Sequence, residues 1–321
     1  MSINEQAFVK SESIPKFGVL LSYFEGDSFI QEQIDSIFNQ EAVDVKLFIR
    51  DDGSSSRSFE RLEKLCESHP RKKDIFLSRG QNLGVIDSFL LLLRDVDSNA
   101  EYFALSDQDD VWHPRKLVSA YCFMKSTDSP LLYFSAQNIV DEKGAFLRTS
   151  RPITEHRRIN AFFENIVVGC TAVMNKPLHS LVTKAQKPNN ATMHDAWLYL
   201  VASFCGRVCY DPTPSIDYRQ HGKNLVGDRN SIFKEVISRL VRQVKVDDGK
   251  KKSSFLLQSV EFYEHFRGAI HIDSLAMIEA YVAGKGNVKD RFRFLLLYGC
   301  SSDRGFWIWL INATRYLLLA R

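Results

Sequence analysis

The chain has 321 residues, of which 45% are hydrophobic and 25% charged, and its net charge is +3 at pH 7. This balance is typical of one large globular domain, alone or with an appendage, and it excludes the fibrous and disordered classes. The small net charge disfavours nucleic acid as the main partner, although residues 230–321 carry 15 Lys and Arg against 9 Asp and Glu.

The cysteines and the apolar runs indicate a cellular compartment. The six cysteines form no CxxC pair and no zinc-type spacing with histidine, which is typical of buried thiols in a reducing cytosol. Residues 1–17 lack the apolar core of a signal peptide, and no later run reaches the roughly 18–20 apolar residues of a membrane-spanning helix. The sequence therefore predicts a cytoplasmic chain that does not span a membrane.

Strand-like and helix-like segments alternate after a polar arm at residues 1–16. The first strand is Phe17–Tyr23, and Asp27 is predicted to cap a helix whose apolar side chains share one face. Further strands are predicted at 45–49, 74–77 and 102–105, and helices at 57–68 and 85–93. The alternation predicts an α/β fold with a mostly parallel sheet between helices, in which ligands bind beyond the carboxyl ends of the strands.

The second half is less regular. Residues 131–140 and 167–173 are predicted strands, and 196–204 is an apolar helix that begins near His194 and Asp195. Residues 244–254 are predicted to be an exposed linker, followed by a mainly helical pattern to the end.

Acidic and hydroxyl side chains follow three of the first four strands, in the segments 22–27, 50–56 and 106–110. Asp107 and Asp109 are two positions apart on an extended strand exit, so both can address one divalent cation, for which carboxylate oxygens favour Mg²⁺ or Mn²⁺. The alternative is a helix amino terminus capped by Asp110. The Asp51-Asp52 pair has a plainer alternative too, because Asp-Asp-Gly-Ser is a good turn in any protein.

Two later residues are candidates for the same site. Asp195 lies at the start of an apolar helix, where it is either a general base or an ordinary amino-terminal cap. His221 lies beside a glycine turn, where it either completes a carboxylate metal site or has a structural role.

Together these motifs resemble the family 2 glycosyltransferases, inverting enzymes of the A-type nucleotide-sugar-binding fold. The resemblance covers residues 16–228. It depends on the order of these motifs: Phe17–Tyr23, Glu32–Ile37, Asn39-Gln40, Arg50–Ser54, Asn82–Val85, Asp107–Trp112 with Pro114 and Lys116-Leu117, Gly169–Thr171, His194-Asp195, and Tyr218–Gly222 with Asn224. It implies a nucleotide-sugar-binding catalytic domain at 17–228 and a helical, basic and aromatic region at 229–321.

The resemblance also implies residue roles. Asp51 or Asp52 would contact the nucleoside, Asp107 the ribose or the metal, and Asp109 the divalent cation, Mg²⁺ or Mn²⁺, that holds the donor diphosphate. Asp195 matches the family's general base, which deprotonates the acceptor hydroxyl. The remaining candidates are Ser22, Tyr23 and Gly169 for the donor and His221 for the metal.

The motifs at 107–112 and 218–224 look most like the bacterial rhamnosyltransferase branch, whose members build O-antigen, capsule and other surface polysaccharides. This implies dTDP-L-rhamnose as donor, with UDP-sugars as the alternative, and a glycan or lipid-linked glycan as acceptor. One departure concerns the base, because the family often has an acid pair where this chain has His194 before Asp195.

Residues 290–321 interleave five arginines with Phe, Trp, Tyr and Leu. This pattern favours peripheral contact with the cytoplasmic face of the inner membrane, with arginines on anionic lipid, and the alternative is a pair of core or dimer helices.

Two other functions compete with transfer. A nucleotidyl- or phosphate-transferring enzyme would be favoured by a P-loop, and no GxxxxGK[ST] motif occurs. A catalytically silent sugar-nucleotide-binding subunit of a polysaccharide assembly complex would be favoured by loss of an acid, whereas Asp107, Asp109 and Asp195 are all present.

Overall fold

A computed structural model describes residues 13–96, 99–153, 157–220, 254–299 and 306–318. The strands in these segments are β1 (Lys16–Tyr23), β2 (Asp44–Asp51), β3 (Ile75–Arg79), β4 (Tyr102–Ser106), β5 (Val111–Trp112), β6 (Leu131–Ser135), β7 (Asn138–Val140), β8 (Phe146–Thr149), β9 (Val173–Asn175), β10 (Arg207–Asp211) and β11 (Ile216–Arg219). The α-helices are α1 (Ile30–Phe38), α2 (Ser56–Ser68), α3 (Val85–Asp95), α4 (Lys116–Met124), α5 (Lys176–Lys184), α6 (His194–Cys205), α7 (Phe255–Phe266), α8 (Ile272–Ala283), α9 (Val288–Tyr298) and α10 (Phe306–Leu318).

The central sheet has seven strands in the order β10-β6-β9-β4-β1-β2-β3. β9 runs antiparallel to its neighbours β4 and β6, and the other adjacent pairs are parallel. This confirms the predicted α/β fold with a mostly parallel sheet. Because β4, β1 and β2 are adjacent and parallel, the loops that follow them open onto the same edge.

β1 lies at the centre of this sheet and is buried on both faces. Leu20 belongs to the hydrophobic cluster that contains Phe89 of α3, whereas Leu21 belongs to the cluster that contains Ile34 of α1. Successive strand residues point to opposite faces, so the continuous apolar run of β1 serves two cores. This explains why its sequence shows no polar alternation.

A second sheet, in the order β5-β11-β7-β8, lies beyond the acidic segment. The single strand predicted at 131–140 is wrong, because the chain forms β6 in the central sheet and β7 in this one. The change of sheet occurs at Ser135, whose hydroxyl lies 2.6 Å from that of Ser215. The strand predicted at 167–173 is also wrong, since Gly169–Thr171 forms a 3-10 turn before β9.

Asp27 does not cap α1 as predicted. The residue preceding that helix is Phe29, and no side chain caps it. The Asp27 carboxylate instead accepts hydrogen bonds from Tyr23 and Ser58, both at 2.6 Å, and from Arg61 at 2.7 Å. These bonds lower the pKa of Asp27 to about 2.

The C-terminal helices pack onto the main core. Tyr281 of α8 stacks on Phe162 at 4.1 Å and on Tyr316 of α10 at 4.6 Å. The domain boundary predicted near residue 228, and the predicted linker as far as residue 253, lie outside the described residues. Within the described segments, no helix is long and apolar enough to cross a membrane.

Candidate functional site

The loops after β1 and β4 are joined by Gln108. Its side-chain amide accepts a hydrogen bond from the Phe24 N–H at 2.8 Å and donates to the Phe24 carbonyl at 3.1 Å. Gly26 packs directly against the Gln108 amide, which a side chain at that position would displace. The acidic segment after β4 is therefore fixed to the neighbouring strand end.

In the β2 loop, the carboxylate of Asp52 is fully engaged. One oxygen accepts from the Leu83 N–H at 2.9 Å and from the Arg50 guanidinium, and the other accepts from the Gly84 N–H at 2.9 Å. Gly84 has a φ of +82°, a left-handed conformation that favours glycine. Asp52 thus holds the loop that precedes α3.

Asp51 is also fully buried. One of its oxygens accepts from the Ser54 N–H at 3.2 Å, and the other lies 3.2 Å from Nε of Arg79. Arg79 is partly exposed and also donates to the Ser54 carbonyl at 2.9 Å. Asp51 therefore anchors a cationic side chain at the mouth of the β2 loop.

The two candidates at the end of β1 differ in accessibility. Ser22 is half-buried, with its hydroxyl 2.6 Å from that of Ser88. Tyr23 is completely buried, and its hydroxyl donates to Asp27 at 2.6 Å. Burial, followed by this bond to Asp27, raises the pKa of Tyr23. Contrary to the role predicted for it, the Tyr23 side chain lies beneath the strand edge rather than on its surface.

The β4 loop brings two acids and a thiol together. Ligand atoms of Asp107, Asp110 and Cys170 all lie within 4.8 Å of one another. Asp110 is buried, and one of its oxygens accepts from the Arg219 N–H at 3.2 Å. Its other oxygen is buried with no hydrogen-bond partner. The predicted capping role of Asp110 is wrong, because α4 begins only at Lys116 and has no side-chain cap.

Negative charge accumulates in this loop. Burial, then the neighbouring carboxylates of Asp109 and Asp195, raises the pKa of Asp107 to about 7. Burial and the charges of Asp107 and Asp109 also raise the pKa of Asp110 well above its ordinary value. Asp195 lies at the same edge, because its carboxylate accepts from the Gly169 N–H and the adjacent Cys170 thiol lies within 4.8 Å of ligand atoms of Asp107 and Asp110.

Two cations that the sequence analysis did not single out organise these acids. Lys116 is buried, donates to the Cys170 carbonyl, and lies 4.2 Å from the centre of the Trp112 ring. Burial lowers the pKa of Lys116 to about 8. A charged residue beginning the otherwise apolar stretch 116–124 was the signal that could have identified it.

Arg219 is the second of these cations. Its guanidinium donates to the Asp109 carbonyl at 3.0 Å, to the Glu142 carbonyl at 2.9 Å and to Glu32 at 2.6 Å. It therefore connects the end of β11 to the β4 loop and to α1. Arg219 belongs to the motif Tyr218–Gly222 of the family resemblance, but its position in the sequence did not predict a role for it.

Asp195 lies in the first turn of α6 and is buried. One carboxylate oxygen accepts from the Gly169 N–H at 3.0 Å, and the other from the Ala196 N–H at 2.8 Å. These two backbone groups fix the orientation of the carboxylate. A side chain at residue 169 would approach the ring of His194 to 2.8 Å, so glycine makes room for the pair at 194 and 195.

His194 precedes Asp195, at the position where the family resemblance implied an acid. Its ring stacks on Phe89 at 4.1 Å, and both ring nitrogens are buried without hydrogen-bond partners. Burial lowers its pKa, with the Asp195 charge acting in the opposite direction. The other candidate histidine, His221, lies outside the described residues.

The candidate metal ligands at the β4 loop fit a divalent cation. They are two carboxylates and one thiol, and the unpartnered oxygen of Asp110 is buried among them. Hard oxygen ligands of this kind suit Mg²⁺ or Mn²⁺. Asp109, the ligand predicted from the sequence, lies next to this group but is not one of its three members.

Comparison with known proteins identifies the family. Residues 19–181 match Glycosyl transferase family 2 over half of the chain. The chain belongs to this family. It is therefore a glycosyltransferase, and the resemblance inferred from the ordered motifs is confirmed.

Two curated relatives of this glycosyltransferase are bacterial. The dTDP-rhamnosyl transferase RfbG of Shigella flexneri is 29% identical over 235 residues, which cover 68% of this chain and 78% of RfbG. The O-antigen biosynthesis glycosyltransferase WbnJ of Escherichia coli is 25% identical over 211 residues, which cover 64% of this chain and 80% of WbnJ.

Among solved structures, TarS 1–349 of S. aureus superposes with a TM-score of 0.54 at 14% identity. The superposition covers 94% of the glycosyltransferase and 81% of the TarS chain. The same TarS fragment in complex with UDP-GlcNAc gives a TM-score of 0.51. At this identity the likeness shows the fold alone, and it confirms the A-type glycosyltransferase fold.

Proposed function

We propose that this glycosyltransferase transfers a sugar from a nucleotide-sugar donor to a hydroxyl of a glycan or lipid-linked glycan, with inversion at the anomeric carbon. The observation that supports this best is the hydrogen bond from the Gly169 N–H to the Asp195 carboxylate, because the adjacent Cys170 belongs to the acid group of the β4 loop. An acceptor hydroxyl and a donor diphosphate can then meet at one sheet edge.

Asp195 acts as the general base in this proposal. The Gly169 and Ala196 N–H groups hold its carboxylate, which takes the proton from the acceptor hydroxyl. The freed oxygen bonds to the anomeric carbon as the bond from that carbon to the diphosphate oxygen breaks. The electron pair of the broken bond leaves with the nucleoside diphosphate, giving inversion in one displacement.

The donor site forms around the ends of β1, β2 and β4. Asp107 is half-buried and approaches the ribose or the diphosphate. The buried carboxylates of Asp51 and Asp52 act by holding the β2 loop and Arg79 against the nucleoside. Ser22 lies at the edge of β1, and the backbone of Gly169 borders the donor next to the base.

A divalent cation, Mg²⁺ or Mn²⁺, completes the site. Asp107 and Asp110 would hold it, with Asp109 and the Cys170 thiol beside them. The cation supplies positive charge that offsets the charge of the departing diphosphate. His221 remains a proposed additional ligand.

The donor sugar is proposed to be L-rhamnose from dTDP-L-rhamnose, with UDP-sugars as the alternative. The likeness to the dTDP-rhamnosyl transferase RfbG supports the first, and the fold shared with a TarS fragment crystallised with UDP-GlcNAc keeps the second open. The likeness to WbnJ supports an acceptor in O-antigen or another surface polysaccharide.

We place the reaction on the cytoplasmic face of the inner membrane, where a lipid-linked acceptor is accessible. The region 229–321 would provide peripheral membrane contact, and 17–228 would form the catalytic domain after an N-terminal arm at 1–16. The second candidate, a silent sugar-nucleotide-binding subunit, is disfavoured because the acids at 107, 109 and 195 are all retained.

The test is a donor screen with the purified 321-residue chain. Nucleoside diphosphate release is measured with dTDP-, UDP- and GDP-sugars, Mg²⁺ or Mn²⁺, and extracted lipid-linked glycan as acceptor. We expect release with dTDP-L-rhamnose that requires both cation and acceptor. Donor binding without turnover by any sugar would instead favour the silent subunit.

A further inference from the structure

One face of α9 exposes large apolar side chains. Phe292 is 55% exposed, Leu296 71% and Leu297 62%, and Val288 and Tyr298 are exposed as well. Residues 288, 292 and 296 are four apart, so they lie above one another on the helix surface. A soluble helix usually buries such a row, so this one is available to a partner.

The same face carries cations and no acid. Lys289 and Arg293 are exposed between the apolar residues, one turn apart. The helix has a single acid, Asp290, which is half-buried and accepts a hydrogen bond from the Asn287 amide at 2.6 Å. The most exposed side chains of this helix are thus apolar or positively charged, and the acid is only partly accessible.

The opposite face of α9 is firmly attached to the core. Phe294 is fully buried, with ring centres 5.1 Å from Tyr281 and 5.6 Å from Tyr316. Arg291 is buried too, and it donates to the Gly284 carbonyl at 2.6 Å and to the Leu317 carbonyl at 3.0 Å. The prediction that Arg291 contacts lipid is therefore wrong, because it joins two helix ends inside the protein.

We propose that this face of α9, made by residues 288, 289, 292, 293, 296 and 297, docks onto an anionic lipid surface. Phe292, Leu296 and Leu297 enter the headgroup boundary, while Lys289 and Arg293 extend their charges toward lipid phosphates. The inference rests on the proposed membrane-side reaction, and it identifies the surface by which the protein would bind the membrane. Since α9 packs on the main core, docking would fix the orientation of the catalytic site relative to the membrane.

The charge distribution favours lipid over a second copy of this chain. In a two-fold dimer the same patch contacts itself, which would bring Lys289 and Arg293 against their own counterparts, and the six residues of the patch include no acid to pair them. Anionic headgroups supply that opposite charge. Each basic side chain near such a surface therefore strengthens binding to anionic lipid.

The first test is vesicle flotation of the full chain without donor sugar. Phosphatidylcholine vesicles with and without phosphatidylglycerol are compared, and we expect binding that depends on the anionic lipid and weakens with salt. Phe292→Ser/Leu296→Ser should lower the partition coefficient at least about tenfold. The matched control is Phe146→Ser/Leu147→Ser, which removes two equally exposed apolar side chains of β8 and should bind as the wild type does.

The second test reverses the charges. Lys289→Glu/Arg293→Glu should also lower the partition coefficient by about tenfold or more, whereas Lys72→Glu/Lys73→Glu, on an exposed turn elsewhere, should leave it unchanged. Circular dichroism confirms that each variant is folded. Donor turnover with a detergent-solubilised acceptor, measured in parallel, should be unchanged in all four variants.

Three results would overturn the inference. They are absence of wild-type binding to anionic vesicles, equal binding by the α9 variants, and a concentration-dependent dimer that only these variants abolish. If turnover fails while vesicle binding behaves as expected, the proposed reaction is wrong and the docking surface stands.

Discussion

The acidic loops after β2 and β4 look alike in sequence and differ in what surrounds their carboxylates. In the β2 loop, Asp52 accepts two backbone hydrogen bonds and pairs with Arg50, and Asp51 faces Arg79. In the β4 loop, the pKa values of Asp107 and Asp110 are both raised. The carboxylates of the β2 loop are compensated by arginines, whereas the β4 loop has an excess of negative charge.

This difference separates a structural role from a chemical one. A carboxylate saturated with hydrogen bonds, such as that of Asp52, holds its loop and has no free oxygen for a ligand. Buried acids whose pKa values are raised by one another's charge, as in the β4 loop, are stabilised by a bound cation or by protonation. The role of an acidic loop therefore depends more on the hydrogen-bond and ionic partners of its carboxylates than on its amino-acid composition.

The largest effect should come from the base that faces the β4 loop. Asp195→Asn keeps the shape of the side chain but cannot accept the acceptor proton, so turnover should fall about a thousandfold with donor binding retained. Nucleoside diphosphate release gives the turnover, and calorimetry gives the donor affinity. An unchanged turnover number would contradict the assignment, and Asp128→Asn, on an exposed loop, is the control.

Asp109→Ala tests whether the β4 loop binds the cation and takes part in sugar transfer. Its carboxylate adds negative charge beside Asp107 and Asp110, so its loss should weaken cation binding and lower turnover about a hundredfold. Because Asp109 is half-buried, the melting temperature should change little. Titration of turnover with Mn²⁺ provides the measurement, and a normal cation dependence would remove Asp109 from the site.

Asp52→Ala tests the other loop and should affect folding. The substitution leaves the Arg50 guanidinium buried without its partner and frees the Leu83 and Gly84 N–H groups, which should cost about 3 kcal/mol of unfolding free energy. Urea denaturation measures this. If Asp52→Ala were as stable as Asp128→Ala, the bonds from Asp52 to Arg50, Leu83 and Gly84 would not stabilise the β2 loop.

The sequence was sufficient to predict where the strands end, but it was not sufficient to predict the role of each acid. Apolar runs and helical periodicity predicted β1 to β4 and α6, because these elements bury residues at regular spacing. The shared edge followed from the parallel order of β4, β1 and β2, whose following loops all open onto it.

What the sequence could not predict depends on contacts between distant segments. Arg219 reaches the β4 loop from a strand about 110 residues later, and Cys170 enters the acid group from a turn that was predicted as a strand. Asp110 looked like a helix cap because local sequence cannot show that its oxygen meets the Arg219 N–H. Tyr23 was a donor candidate because local sequence cannot show that its hydroxyl is buried against Asp27 and Ser58.

The smallest predicted effect is a pH dependence of stability that separates the two loops. Folding raises the pKa of Asp107 from its ordinary 3.8 to about 7, so the protonated carboxyl favours the folded state. That stabilisation is complete below about pH 3.8 and is lost as pH rises through about 7. Without added cation, the contribution of Asp107 should therefore lower the melting temperature by a few degrees between pH 5 and 8.

Asp107→Asn isolates this contribution, because the amide stays neutral at every pH. Its melting temperature should fall less between pH 5 and 8 than that of the wild type, whereas Asp128→Asn should retain the full wild-type slope. Added Mn²⁺ should reduce the wild-type slope, since a bound cation stabilises the ionised carboxylate and takes over the role of the proton. Equal slopes for the wild type and Asp107→Asn would show that the β4 acids are compensated as fully as those of the β2 loop.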